Sequence, residues 1–283
     1  MTAPNDDEPV TPIEGGGLVR SLVRIRFDIA YDGTEFSGWA RQPGRRTVEA
    51  TIAEAIATVL RGSEPPSLVV AGRTDAGVHA TGQVAHADLP SCDIDRLVRK
   101  LRGVLPADIV VRRAAIAPAG FDARFSAVGR SYRYRVTDQA PDPLRRRDTV
   151  SWPRPLDATA MHEAAQLLVG EHDFAAYCRR RKGATTVRHL RRLDVSRDDV
   201  VVIAAEADAF CHNQVRAMVG ALLAVGDGRR PSPWPQQVLR AGVRDSAVTV
   251  APPHGLTLVR VDYPPDAEVG RRAEIARQRR AVP

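Results

Sequence analysis

Gly72-Arg73-Thr74-Asp75-Ala76-Gly77-Val78-His79 places a carboxylate two residues from a guanidinium, between two glycines. Glycine at such a bend allows backbone turns that a Cβ would forbid. The segment therefore reads as a tight polar loop that exposes Arg73 and Asp75 on one side. A loop carboxylate beside an arginine is a common catalytic arrangement. A nearby cation keeps the acid ionised, as a nucleophile or base must be. The same residues also describe an Arg–Asp pair that only closes a turn. Elsewhere the chemistry is sparse. Cys92, Cys178 and Cys211 are odd in number and widely spaced, and suggest neither a disulfide framework nor a metal-binding pair. The seven histidines do not cluster. With no P-loop and no GxGxxG after a strand, neither cofactor nor metal is expected.

The chain of 283 residues is long enough for one large domain or two ordinary ones. Its 41 basic residues against 34 acidic ones leave a charge of +7, which suits a polyanionic partner. Only Lys100 and Lys182 are lysines, and arginine suits phosphate forks and base stacking. The longest apolar run, Val200 to Ala205, is too short to span a membrane. Residues 1–20 carry Asp6, Asp7, Glu8 and Glu14 without an apolar stretch, so no secretory signal is expected. A cytoplasmic protein follows.

The elements around the loop alternate in period. Leu22 to Tyr31 reads as a strand, Thr47 to Leu60 as a helix, Leu68 to Ala71 and Gln83 to Leu89 as strands. Asp93 to Val104 is helical and Ile109 to Ile116 is a strand. This β-α-β-β-α-β order is a ferredoxin-like, RRM-like unit. It repeats as strand Ser131 to Thr137, helix Asp157 to Val169, strands Val187 to Val195 and Val200 to Ala207, helix His212 to Val225 and strand Leu256 to Tyr263. The expected fold is α+β. Two ferredoxin-like halves, 21–117 and 131–264, meet through a segment at 118–130 to form one mainly antiparallel sheet with a central cleft. A disordered tail is expected at 1–20 and a charged, partly helical one at 265–283.

The 72–79 motif, continued by Ala80-Thr81-Gly82-Gln83-Val84-Ala85-His86, resembles the signature of the tRNA pseudouridine synthase A (TruA) family. Tyr31-Asp32-Gly33-Thr34, Gly38-Trp39, Phe121 to Ser126, Tyr132-Arg133-Tyr134, Ala209 to Gly220 and Gly255 to Pro264 resemble its other motifs in order. The likeness spans about Leu22 to Pro264. In the late helix the family often has two histidines and a methionine before Val-Arg, then Asn. This chain has Cys211-His212-Asn213-Gln214-Val215-Arg216-Ala217.

The resemblance implies an isomerase that makes pseudouridine at positions 38, 39 and 40 of the tRNA anticodon stem-loop. Asp75 would be nucleophile or base, and Arg216 its partner. Tyr132 and Leu256 would contact the target base, and Arg73 would help extrude the nucleotide. Arg124 would be a further RNA contact. The basic run Arg179-Arg180-Arg181-Lys182 would suit phosphates of the anticodon arm. The family also implies a homodimer. The alternative is a non-catalytic RNA-binding protein with two RRM-like units, although the chain is only 5% aromatic and lacks a clear RNP1 strand.

Overall fold

The computed structural model describes residues 21–179 and 185–281. Its first half runs β1 (Leu22–Tyr31), α1 (Val48–Leu60), β2 (Val69–Val70), β3 (His79–Pro90), α2 (Ile94–Val104) and β4 (Ile109–Ile116). Next come β5 (Gly129–Thr137), β6 (Val150–Ser151), α3 (Ala158–Gln166), β7 (Gly170–Asp173) and β8 (Val187–Arg197). The chain continues with β9 (Val201–Ala207), α4 (Gln214–Gly226), α5 (Trp234–Ala241), β10 (Leu256–Asp262) and α6 (Val269–Ala281).

The strands form one sheet in the order β4-β1-β3-β10-β5-β9-β8-β7, with β2 on β3 and β6 on β5. Both halves obey one permutation. The first strand lies between the fourth and the third, with the second outside the third: β4-β1-β3-β2, then β10-β5-β9-β8. That is the ferredoxin-like order, made twice, and the α+β expectation holds. The halves join where β10 runs parallel to β3 at Thr257↔His79 and Leu258↔Ala80. β2 is only two residues long and pairs with β3 further along, at Ala85 and His86, so one side of β3 is shared between β2 and β10.

Alternation builds each core. Ile25, Phe27 and Ile29 on β1 are fully buried in one cluster with Val48, Ile52 and Ile56 of α1. Leu190, Leu193 and Ile203 form a second cluster with Met161, Met218 and Leu222. Tyr132 packs against both clusters and so marks the seam between them. Asp93 and Asp157 cap α2 and α3 by accepting the N–H of Arg96 and Ala160 at 2.9 Å each. Every residue of α4 is buried except Arg216.

Several elements differ from expectation. β3 begins at His79 rather than Gln83, and α4 at Gln214 rather than His212. β6, β7 and α5 have weak sequence signals: β6 is two residues, β7 is the polar Gly-Glu-His-Asp, and α5 spans eight residues with a proline in its first turn. Where a charged tail is expected, α6 docks through buried Val269 and Ala273, and Ser126 donates to the Val269 carbonyl at 2.9 Å. The expected N-terminal tail lies outside the described residues. Among the described residues no helix is long and apolar enough to cross a membrane.

Candidate active site

The 72–79 loop is held from all sides by groups other than Arg73. Gln83 donates to the Gly72 carbonyl at 2.8 Å and to the Tyr31 hydroxyl at 3.2 Å, and that hydroxyl bonds Thr74 Oγ1 at 2.8 Å. Trp39 N–H donates to the Thr74 carbonyl at 3.0 Å, and Val78 N–H closes the turn onto the Asp75 carbonyl at 3.1 Å. Gly77 needs its positive φ of 77°, and a Cβ there would meet Pro253 at 3.0 Å. Nδ1 of His79 accepts the Gly33 N–H at 2.9 Å, so Nε2 carries the proton and donates to the His254 carbonyl at 2.9 Å. His79 is thus a latch between the first turn, the loop and the approach to β10.

Asp75, one-third exposed, faces the N-terminal end of α4. Arg216 Nη1 lies 3.5 Å from its Oδ2. The guanidinium is aimed by the 249–251 segment: Nε donates to the Ala251 carbonyl at 2.7 Å while Ala251 N–H donates to the Arg216 carbonyl at 3.0 Å. A helix buried on every other residue presents this one cation to the loop. The Arg73–Asp75 turn-closing pair is not formed. Arg73 is exposed and makes no ion pair with a described residue, and Asp75 turns instead toward Arg216 and His212.

The other predicted residues fall around this pair. Tyr132 sits edge-on to Phe210 at 5.3 Å. Burial pushes its phenol up to about 12, with the Asp75 charge adding and Arg130 opposing, so the hydroxyl is a proton donor near neutral pH. Leu256 opens β10 opposite Tyr134 and is 5% exposed. Arg124 is exposed, its guanidinium 5.4 Å from the Phe125 ring. Arg179 is exposed and donates its N–H to the His212 carbonyl at 3.1 Å, which brings the start of the basic run to the α4 end of the site. Arg180, Arg181 and Lys182 lie outside the described residues.

Three features escaped the sequence reading. His212 Nε2 lies 3.3 Å from Asp75 Oδ1. Arg130 is 9% exposed and donates to the carbonyls of Ala71, Arg124 and Asp208 at 2.8, 3.1 and 2.9 Å. Burial lowers its pKa, and three carbonyls from three segments replace its water. The only local signal of Arg130 is a polar residue in an apolar alternation with Tyr132, Tyr134 and Val136. Third, Cys178 and Cys211 lie side by side, which the reading of them as widely spaced, with no disulfide framework, did not anticipate. Their separation of 33 residues misled because the turn after β7 and the start of α4 converge, placing the Cα atoms 5.8 Å apart.

A family model described as tRNA pseudouridine synthase matches residues 164–264. A Frankia casuarinae protein named tRNA pseudouridine synthase A is 61% identical over 272 residues, covering 94% of this chain and 98% of that protein. The protein of the same name from Streptomyces griseus is 56% identical, covering 93% and 95%. That of Mycobacterium leprae is 50% identical, covering 92% and 96%. A solved Cbf5-Nop10-Gar1 complex overlaps 71% of this chain and 54% of its own at 11% identity and a TM-score of 0.30, too low to carry weight beside the strand order.

Proposed function

The chain belongs to the tRNA pseudouridine synthase A family, and from that premise we propose that its cleft acts at uridines 38, 39 and 40 of the anticodon stem-loop. It is an isomerase that converts uridine in tRNA to pseudouridine. The N1–C1′ bond breaks, a C1′–C5 bond forms, C5 gives up its proton and N1 gains one, with no net redox change.

The observation that carries the site assignment is the Asp75 carboxylate facing Arg216 at the seam between two cores. Asp75 either adds to C1′ or takes the C2′ proton on the way to a glycal, and both routes start from an ionised carboxylate. Arg216 faces the carboxylate and holds it in place. Tyr132 stacks on the target base and offers its hydroxyl for proton transfer, which its retained proton supports. Leu256 supplies the apolar wall. Arg73 fills the space left by the extruded nucleotide, free to do so because the loop does not need it. Arg124, Arg179, Arg180, Arg181 and Lys182 meet phosphates. The halves 21–117 and 131–264 form the two walls of the cleft. By the family resemblance, the working unit is a cytoplasmic homodimer that needs no cofactor.

The test is tritium release from tRNA carrying 5-tritiated uridine. Release without strand cleavage is expected, restricted to substrates with uridine at one of the three positions. Asp75→Asn should release none while binding tRNA within several-fold of wild type, because the amide keeps the shape and loses the charge. Wild-type binding without release would favour the non-catalytic reading, and turnover by Asp75→Asn would remove Asp75 from the chemistry.

A further inference from the structure

We propose that His212 is a second positioning residue for Asp75, acting with Arg216 to fix the plane of the carboxylate. The role rests on the isomerase reading of the cleft. His212 Nε2 lies 3.3 Å from Oδ1 and Arg216 Nη1 lies 3.5 Å from Oδ2, so each carboxylate oxygen faces its own nitrogen. The terminal torsion of an aspartate is soft, and one contact leaves it free to swivel. Contacts at both oxygens set its angle. Addition at C1′ and proton removal at C2′ both need one oxygen aimed at the sugar, and small misplacements of a reacting group are expensive in rate.

The backbone around His212 is built to deliver this contact. Asn213, between His212 and α4, has a φ of 67°. Among the described residues only Arg61 shares that left-handed geometry without being glycine. Asparagine tolerates it better than most residues, and a backbone outlier beside a reacting group points to a functional constraint. The turn interrupts helical geometry at the residue that separates His212 from α4. Flanking groups then anchor it without involving Asp75. The His212 carbonyl accepts the Arg179 N–H at 3.1 Å, Cys211 N–H donates to Gln214 Oε1 at 2.9 Å, and Cys211 packs beside Cys178. The imidazole is one-quarter exposed and Asp75 one-third, so the pair stays open to a substrate.

Single-turnover tritium release and tRNA Kd, measured separately on the full chain, test the role. His212→Leu should slow release by about tenfold or more, with Kd within about threefold of wild type. His212→Gln, which can place an amide N–H near the Nε2 position, should recover release to within about threefold of wild type. Asn213→Gly keeps the left-handed turn and should match wild type. Asn213→Val disfavours it and should reproduce the His212→Leu loss. Melting temperatures show that each variant is folded. The role is overturned if His212→Leu keeps its rate, if Leu and Gln lose equally, or if the loss lies wholly in Kd. A wild type that releases no tritium would overturn the isomerase reading and this role with it. An active wild type beside an unimpaired His212→Leu removes the His212 role alone.

Discussion

Arg73 is exposed while the loop that carries it is fastened through Gln83, Tyr31, Thr74 and Trp39. Removing its side chain should therefore leave stability within about 0.5 kcal/mol, as for other unpartnered surface positions. The defect should be chemical and should depend on the substrate. A uridine in a stem must unstack at a cost of a few kcal/mol, which an already unpaired one avoids in part. Arg73→Ala is expected to lose most single-turnover activity on a paired target and less on an unpaired one. Arg73→Lys should rescue poorly, because an ammonium has no plane with which to stack. Equal loss on both targets, together with a lowered melting temperature, would return Arg73 to a structural role. Arg73 and Asp75 were legible because two residues of chain keep them together. Which group Asp75 pairs with was not legible from spacing: Arg216 and His212 lie more than a hundred residues away and reach it only through the placement of α4.

The element that decides the site is α4, and its Gly220 argues against a general rule. In an exposed helix, glycine to alanine gains about 1 kcal/mol. Here a Cβ on Gly220 would lie 1.7 Å from the Thr249 carbonyl oxygen. The 249–251 segment would have to move, and its Ala251 orients the Arg216 guanidinium. Gly220→Ala should therefore destabilise by about 2 kcal/mol, in the range of overpacked cores. It should also lower turnover more than tRNA affinity. Urea melts beside single-turnover rates check both, and a stabilised variant would refute the close approach. The apolar run of α4 was readable as a helix. The segment at its side was not: residues 248–252 form no regular element, and their role is to fill the contact that a glycine leaves open. α6 was obscured differently, since its arginines conceal a small docking face on which Val269 and Ala273 are buried.

Across the whole molecule, all five tyrosines, Tyr31, Tyr132, Tyr134, Tyr177 and Tyr263, have pKa values raised by burial. The folded chain then holds phenolic protons that the unfolded chain releases near about pH 10. The resulting stability is fully present below about pH 10 and is lost as pH climbs through the folded value, about 12 for Tyr132. Tyrosinate absorbance should stay flat to about pH 11 and then rise in one step with unfolding. A gradual rise centred near about pH 10 while the fold persists would contradict the burial of these rings. The paired halves were visible from alternation alone, because period-2 and helical patterns recur in the same order. The parallel junction between β3 and β10 was not, since so short a pairing leaves no pattern in either strand. That junction also sets an order of events during synthesis. β10 is the last of the described strands to leave the ribosome, it pairs with β3 of the first half and β5 of the second, and the residues leading into it touch Gly77, His79 and Arg216. A chain cut short before residue 256 keeps Asp75, His212 and Arg216 but lacks the strand that joins the two halves. Such a chain is expected to release no tritium from 5-tritiated tRNA, because the junction that brings the two halves together is missing.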